Sequence, residues 1–144
     1  MNSSTFTHTA SDGVGIFVRR WAGDSPPKAL VLVVHGVAEH SGRYARLASA
    51  LTPRGYEVWA PDHRGHAKTA PASGGRGWFA ARDGFRRVVD DLEEVRGRMA
   101  AERPGLPIFL LGHSMGSSLA RCYVSLYGKS LAGCALSGPL ALDP

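Results

Sequence analysis

Residues Ala29 to Val34 form an unbroken run of six apolar side chains, half of them β-branched, that ends directly on His35-Gly36. A strand with one wet face alternates polar and apolar residues, so a strand without alternation has to be covered from both sides. Six residues is an ordinary strand length and far short of the roughly 20 needed to span a bilayer. The fold must therefore bring covering layers to both faces of that strand. The remaining sequence supplies them, because short apolar segments alternate with longer segments of 3.6-residue period, the pattern of parallel βαβ units.

Gly15 to Trp21 reads as a strand, paired with Phe6 to Thr9 in a hairpin across Ser11-Asp12-Gly13, and Pro26-Pro27 closes that unit. His8 falls on this hairpin as a surface residue. After the apolar strand, Tyr44, Leu47, Ala48 and Leu51 share one helical face, with Pro53 and Gly55 as stop signals. A short strand, Glu57 to Ala60, delivers Pro61-Asp62-His63-Arg64-Gly65-His66, and residues 67–77 have the composition of a loop. Asp83 is expected to cap a helix whose stripe comprises Phe85, Val88, Val89, Leu92, Val95 and Met99, stopped by Pro104-Gly105. Ile108 to Leu111 is a buried strand leading into Gly112-His113-Ser114-Met115-Gly116. A helix through Met115, Leu119, Cys122, Tyr123 and Leu126 follows, with Gly128 as its stop, and then a last strand, Cys134 to Ser137.

With 144 residues, 44% hydrophobic and 20% charged, the chain has the composition of one globular domain able to bury roughly 68–70% of its unfolded surface. Disordered and collagen-like classes are excluded. The net charge of +5 raises the question of nucleic acid, but opposite charges interleave where they are densest. Arg86/Asp90, Arg87/Asp91 and Glu94/Arg98 stand at i,i+4 spacing, which reads as a solvated helix face. With no zinc finger, aromatic RNA-binding signature or basic zipper, no nucleic-acid partner is expected. The basic balance leaves transient contact with an anionic membrane surface open. Cys122 and Cys134 lie in apolar segments and read as reduced core residues. No metal site and no cofactor are expected, since no His/Cys/carboxylate set has ligand spacing. The N-terminus has no basic cluster ahead of an apolar stretch, so the expected compartment is the cytoplasm.

The chemistry concentrates at Gly112-x-Ser114-x-Gly116. By chance this composition would give about 0.2 such patterns, and this one sits between a buried strand and a helix. A sharp turn there lifts a serine hydroxyl above the C-terminal edge of the sheet, and the helix that follows points its N-terminal amides at the site. Such a nucleophile needs two backbone N–H donors for the developing oxyanion, one from the residue after it and one from the loop after an adjacent strand. Met115 and Val37 occupy those positions.

In order and register, three motifs carry a family resemblance: His35-Gly36-Val37-Ala38-Glu39-His40-Ser41-Gly42-Arg43-Tyr44, Asp62-His63-Arg64-Gly65-His66 and Gly112-His113-Ser114-Met115-Gly116. Together they resemble the monoacylglycerol lipase and lysophospholipase group of the α/β-hydrolase superfamily. The resemblance implies an α/β-hydrolase fold, a mostly parallel sheet with helices on both faces. It implies Ser114 as nucleophile, the Val37 and Met115 amides as oxyanion hole, and acylglycerols, lysophospholipids or related carboxylic esters as substrates. His35, Gly36, Gly112, His113, Gly116, Asp62 and Arg64 are expected to support the motif turns, with Asp62 and Arg64 buttressing each other and His40, His63 and His66 bracing loops. The sequence departs from the family at Ala67, where a glycine is usual, and at Ser117, which replaces a glycine after the elbow.

The triad of this fold runs Ser, acid, His along the chain. After Ser114 the only acid is Asp143, and no histidine follows. Residues 1–144 are therefore read as the N-terminal part of a single α/β-hydrolase domain, truncated after the strand that follows the nucleophile helix, with cap, acid and histidine segments absent. That reading expects no triad-level activity from this polypeptide alone. It also expects self-association or a complementing C-terminal segment along the last strand. Two alternatives stand beside an esterase: a non-catalytic binding protein with the same elbow, and an aminopeptidase of the same fold.

Overall fold

A computed structural model describes residues 1–139, and Asp143 lies outside the described residues. Its six strands form one sheet in the order β1-β2-β4-β3-β5-β6. β1 (Asn2–Thr9) and β2 (Gly15–Ala22) make an antiparallel hairpin. β1 is four residues longer at its start than the apolar pattern indicates. β3 (Ala29–Val34), β4 (Tyr56–Pro61), β5 (Ile108–His113) and β6 (Gly133–Ser137) run parallel, and β2 joins β4 antiparallel.

Every residue of β3 is buried, as the unbroken apolar run requires. Leu30, Leu32 and Val34 face one side, where they share a core with Val88, Val89, Leu92, Val95 and Met99 of α3 (Gly84–Glu102) and Leu119, Ala120 and Tyr123 of α4 (Met115–Tyr127). Val31 and Val33 face the other, against Ala48, Leu47 and Leu51 of α1 (Ala45–Leu51). Each such valine or leucine contributes about 1.5–3 kcal/mol of burial. Helices thus lie on both faces, and β3 has β4 on one side and β5 on the other. The loops leaving β3 and β5 diverge to opposite faces, which opens a crevice at the strands' carboxyl ends, the place where open α/β sheets bind ligands.

Several local expectations are corrected. Residues 67–77 contain a short helix, α2 (Ala70–Ser73), with a proline in its first turn. Asp83 precedes α3 but does not cap it. Its φ of 52° is left-handed, and its side chain makes no cap hydrogen bond, whereas a capping side chain needs extended backbone to reach the N2 or N3 amide. Phe85 is 41% exposed, because it sits in a surface groove with Arg121 and Cys122 and not beneath the sheet, and Leu126, on the outer face of α4, is 45% exposed. Gly128 keeps right-handed φ and ψ, and the chain tightens into a 3₁₀ turn, Gly128–Ser130, before leaving. Cys134 is exposed and free, since β6 is the edge strand and pairs only with β5 among the described residues.

The charged face of α3 is also less open than its spacing implies. Arg86 pairs with Asp90 at 2.7 Å, but Asp91 is buried against Arg64, Glu94 receives His8 at 3.1 Å and Arg98 turns to Glu102. His8 is correspondingly half-buried between strand and helix.

Candidate active site

Ser114 stands at the junction of β5 and α4 with φ 53° and ψ −119°. A non-glycine residue in this region stores about 1–3 kcal/mol of strain. The surroundings fix it there. The Ser114 N–H donates to the Ser137 carbonyl at 2.9 Å, and the Ser117 hydroxyl shares its one hydrogen between the Gly112 and Ser137 carbonyls, each 3.0 Å away. His113 Nδ1 lies 3.1 Å from the Ser137 hydroxyl. Ser117 therefore replaces the family's usual glycine with a side chain that ties the elbow to β6. The two motif glycines are required by contact. A Cβ on Gly116 would overlap the Val34 carbonyl and stand 2.7 Å from the His35 carbonyl oxygen, and one on Gly112 would overlap the Gly116 carbonyl. The start of α4 thus rests on the end of β3. Met115 is the first residue of α4, so its N–H has no intrahelical partner.

The loop after β3 approaches the elbow closely, with a Cβ on Gly36 falling 3.2 Å from the Ser114 Cβ. His35 is buried; its Nδ1 lies 2.7 Å from the Gly36 carbonyl and its Nε2 accepts the His63 N–H at 3.0 Å. Glu39, which sequence reasoning did not single out as a site residue, places Oε2 at 2.9 Å from both the Gly36 N–H and the Tyr44 hydroxyl. Desolvation pulls its carboxyl up, but these hydrogen bonds, with His113 and Arg43 nearby, hold it below the usual glutamate range. Val37 is 64% exposed, and its N–H has no acceptor among the described residues. Ala38 follows with φ 56°. Two clefts of about 410 Å³ each share Glu39: one is lined by Tyr44, Leu47, Leu111, His113 and Ser137, the other by Val37, Ala38, Gly65, His66 and Ala67.

The third motif loop corrects one expectation. Asp62 and Arg64 do not pair. Asp62 accepts the Ser41 N–H at 2.7 Å and the Lys68 N–H at 3.1 Å, which joins the loops after β3 and β4. Arg64 turns the other way, with Nε and Nη2 on Asp91 at 2.7 and 2.8 Å and Nη1 and Nη2 on Asp12 at 2.7 and 2.8 Å. Adjacent side chains at the end of a strand point to opposite faces, so residues two apart can share a side in sequence and still diverge once the chain turns. His63 and His66 are buried with His35, their rings stacked at 3.9 Å and edge-on at 5.1 Å to it. Ala67 has φ 40°, the left-handed backbone for which a glycine is the usual choice. His40 is exposed, its ring packed over Gly42.

A strained serine between two contact-limited glycines, at the crevice of a sheet of this order, is a family signature. Residues 25–143 match the family described as serine aminopeptidase, S33. The chain belongs to that family of α/β-hydrolases. It is 39% identical over 132 residues to the monoglyceride lipase of Homo sapiens, covering 92% of this chain and 42% of that one. It is 37% identical over 142 residues to the monoacylglycerol lipase of Mycolicibacterium smegmatis, covering 96% and 49%. A thermostable carboxyl esterase from Bacillus coagulans, solved in complex with glycerol, superposes with TM-score 0.86 at 33% identity over 94% of this chain and 44% of that one. The chain therefore spans less than half the length of these relatives. The resemblance to the monoacylglycerol lipase group and the α/β-hydrolase fold both hold.

Proposed function

We propose that this chain carries the nucleophile half of a serine hydrolase acting on carboxylic esters of the monoacylglycerol or lysophospholipid type, through an acyl-enzyme on Ser114. The observation that carries the reading is the left-handed φ of Ser114 at the head of α4, between glycines that admit no Cβ. In this reading the Ser114 Oγ attacks the ester carbonyl. The Val37 and Met115 N–H groups receive the oxyanion, collapse of the tetrahedral intermediate expels the alcohol, and water then releases the acid. The positive end of the α4 dipole favours the same developing charge. The names of the similar lipases support an acylglycerol as the first substrate to try.

The proton acceptor in this proposal comes from outside residues 1–144, since no histidine follows Ser114 and His113 and His35 direct ring nitrogens to Ser137, Gly36 and His63. Loss of a triad partner costs about 10⁶-fold in rate, so a polypeptide of residues 1–144 is expected to show no triad-level turnover. Hydrolysis of a monoacylglycerol by that polypeptide, abolished in Ser114→Ala, would falsify this. The outer edge of β6, with Leu136 42% exposed, is proposed to take a complementing segment or a second copy. A monomer by sedimentation with a cooperative melt counts against that.

A second reading is favoured by the family description itself. If the protein is a peptidase, aminoacyl amides will be cleaved faster than acylglycerols by the same Ser114-dependent activity.

A further inference from the structure

The Gly36–Val37 peptide is held by two side chains that the chemistry of the elbow does not itself require. The Gly36 carbonyl can only accept, so the 2.7 Å approach of His35 Nδ1 means that this nitrogen carries the ring proton. The His63 N–H can only donate, so His35 Nε2 carries none. Both nitrogens are committed to one neutral tautomer. Across a trans peptide the carbonyl and the next N–H point in opposite directions, and no peptide bond here is cis. Holding the Gly36 carbonyl against the buried ring therefore turns the Val37 N–H away from it, to the exposed side of the loop. Glu39 fixes the preceding peptide plane in the same manner, by accepting the Gly36 N–H at 2.9 Å while the Tyr44 hydroxyl, also at 2.9 Å, anchors the carboxylate. With both flanking planes fixed, the one flexible residue of the loop, Gly36, has no freedom left.

We propose that His35 and Glu39 are positioning residues that together aim the Val37 N–H, and that their hold lasts only while His35 is neutral with its proton on Nδ1. The proposal rests on the reading of Val37 as an oxyanion donor. Protonation would put an N–H on Nε2 facing the His63 N–H, so the two donors would have to separate. The groups around the ring are His63 stacked on it, His66 at its edge and the Asp62 and Glu39 carboxylates. Burial depresses the His35 pKa to about 4 against the opposing pull of the Gly36 carbonyl, with His66 adding to the depression and the two carboxylates resisting it.

Two readouts on the purified protein test this. Long-range ¹H–¹⁵N correlation of the imidazole rings should find His35 neutral, with its proton on Nδ1, through pH 6.5 and charging only below about pH 5. A proton on Nε2, or a midpoint near 6.5, overturns the proposal. The second readout is the rate at which a fluorophosphonate modifies Ser114, followed by intact mass. Glu39→Ala should slow it about tenfold, less than the loss of a whole oxyanion donor. Glu39→Gln, whose amide oxygen can still accept the Gly36 N–H, should restore most of the rate. Equal rates in all three overturn the positioning role, as does a Gln variant no better than the Ala variant. Failure of Ser114 to label is what residues 1–144 without their proton acceptor would give, and the hold is then read from Gly36 amide exchange: acceleration in Glu39→Ala that Glu39→Gln reverses upholds it, and exchange equal in all three overturns it.

Discussion

Two braces hold the loop after β4, and they work by opposite electrostatics. On one side Arg64 is buried with four hydrogen bonds to two carboxylates, tying the loop to α3 through Asp91 and to the β1–β2 turn through Asp12. On the other side His35, His63 and His66 pack as uncharged rings and tie the same loop to the one after β3. The first depends on charge and the second on its absence, so acid does not act on them equally. Hydrogen bonds from Arg64 hold the Asp12 carboxyl at about 2, and the pair also raises the guanidinium above its ordinary range. Burial lifts Asp91 above its ordinary range despite Arg64, which makes Asp91 the acid-sensitive end of the ionic brace and Asp12 the resistant one. The histidine brace starts to lose its contribution as pH falls through about 6.5, where an unfolded histidine takes up its proton. Burial depresses the His63 pKa as well, and the Nε2 of His63 has no hydrogen-bond partner among the described residues. Both braces therefore respond to acid, the ionic one through protonation of Asp91 and the neutral one through charging of its rings.

The comparison breaks most severely at Arg64. Arg64→Met leaves the buried Asp91 uncompensated and should cost about 3–5 kcal/mol in urea unfolding at pH 7; a loss under 1 kcal/mol would show the ion pair to be dispensable. Next comes acid itself. The unfolded histidine takes up its proton near pH 6.5 and folded His35 only near 4. Stability is therefore highest above pH 6.5 and should fall by about 3 kcal/mol between 6.5 and 4 on account of His35 alone. Urea midpoints at pH 7 and 4.5, with His35→Gln flattening the difference, measure this. His63→Leu is of similar volume and removes a buried unpaired nitrogen, so it should change stability at pH 7 by no more than about 1 kcal/mol while reducing the acid loss. The smallest effect is expected at Ala67, where φ is 40°. Ala67→Gly should raise stability by about 0.5–1 kcal/mol, visible as a thermal shift of a few degrees.

What could be read from sequence was what depends on neighbours in the chain. The apolar run at Ala29 to Val34 could only be a doubly covered strand, and Gly112-x-Ser114-x-Gly116 between a strand and a helix could only be a tight turn. Ala67 was legible only as a departure from the family's usual glycine, and its left-handed φ of 40° comes from the structure. The partners of Asp62 and Arg64 were not legible, since Arg64 reaches residues 27 and 52 positions away and nothing local selects those over its neighbour. Glu39 could have been found. A carboxylate three residues after a turn glycine, followed by a tyrosine five residues on, is within reach of both the amide and the hydroxyl. Phe85 and Leu126 fitted their helical periods and still face water, because period fixes an angle on a helix and not the width of the layer beneath it.

Ser137 gives the molecule an order in time. Its carbonyl and hydroxyl close the elbow through partners no more than 24 residues away, whereas the Arg64 brace spans 52. Asp12, Arg64 and Asp91 of that brace have emerged before Ser137 does, and a chain leaving a ribosome at about 5–20 residues per second presents the stretch from His113 to Ser137 within roughly 1–5 seconds. The turn that holds Ser114 can therefore be set almost as soon as β6 emerges, and any strand that later reaches the outer edge of β6 meets a finished elbow.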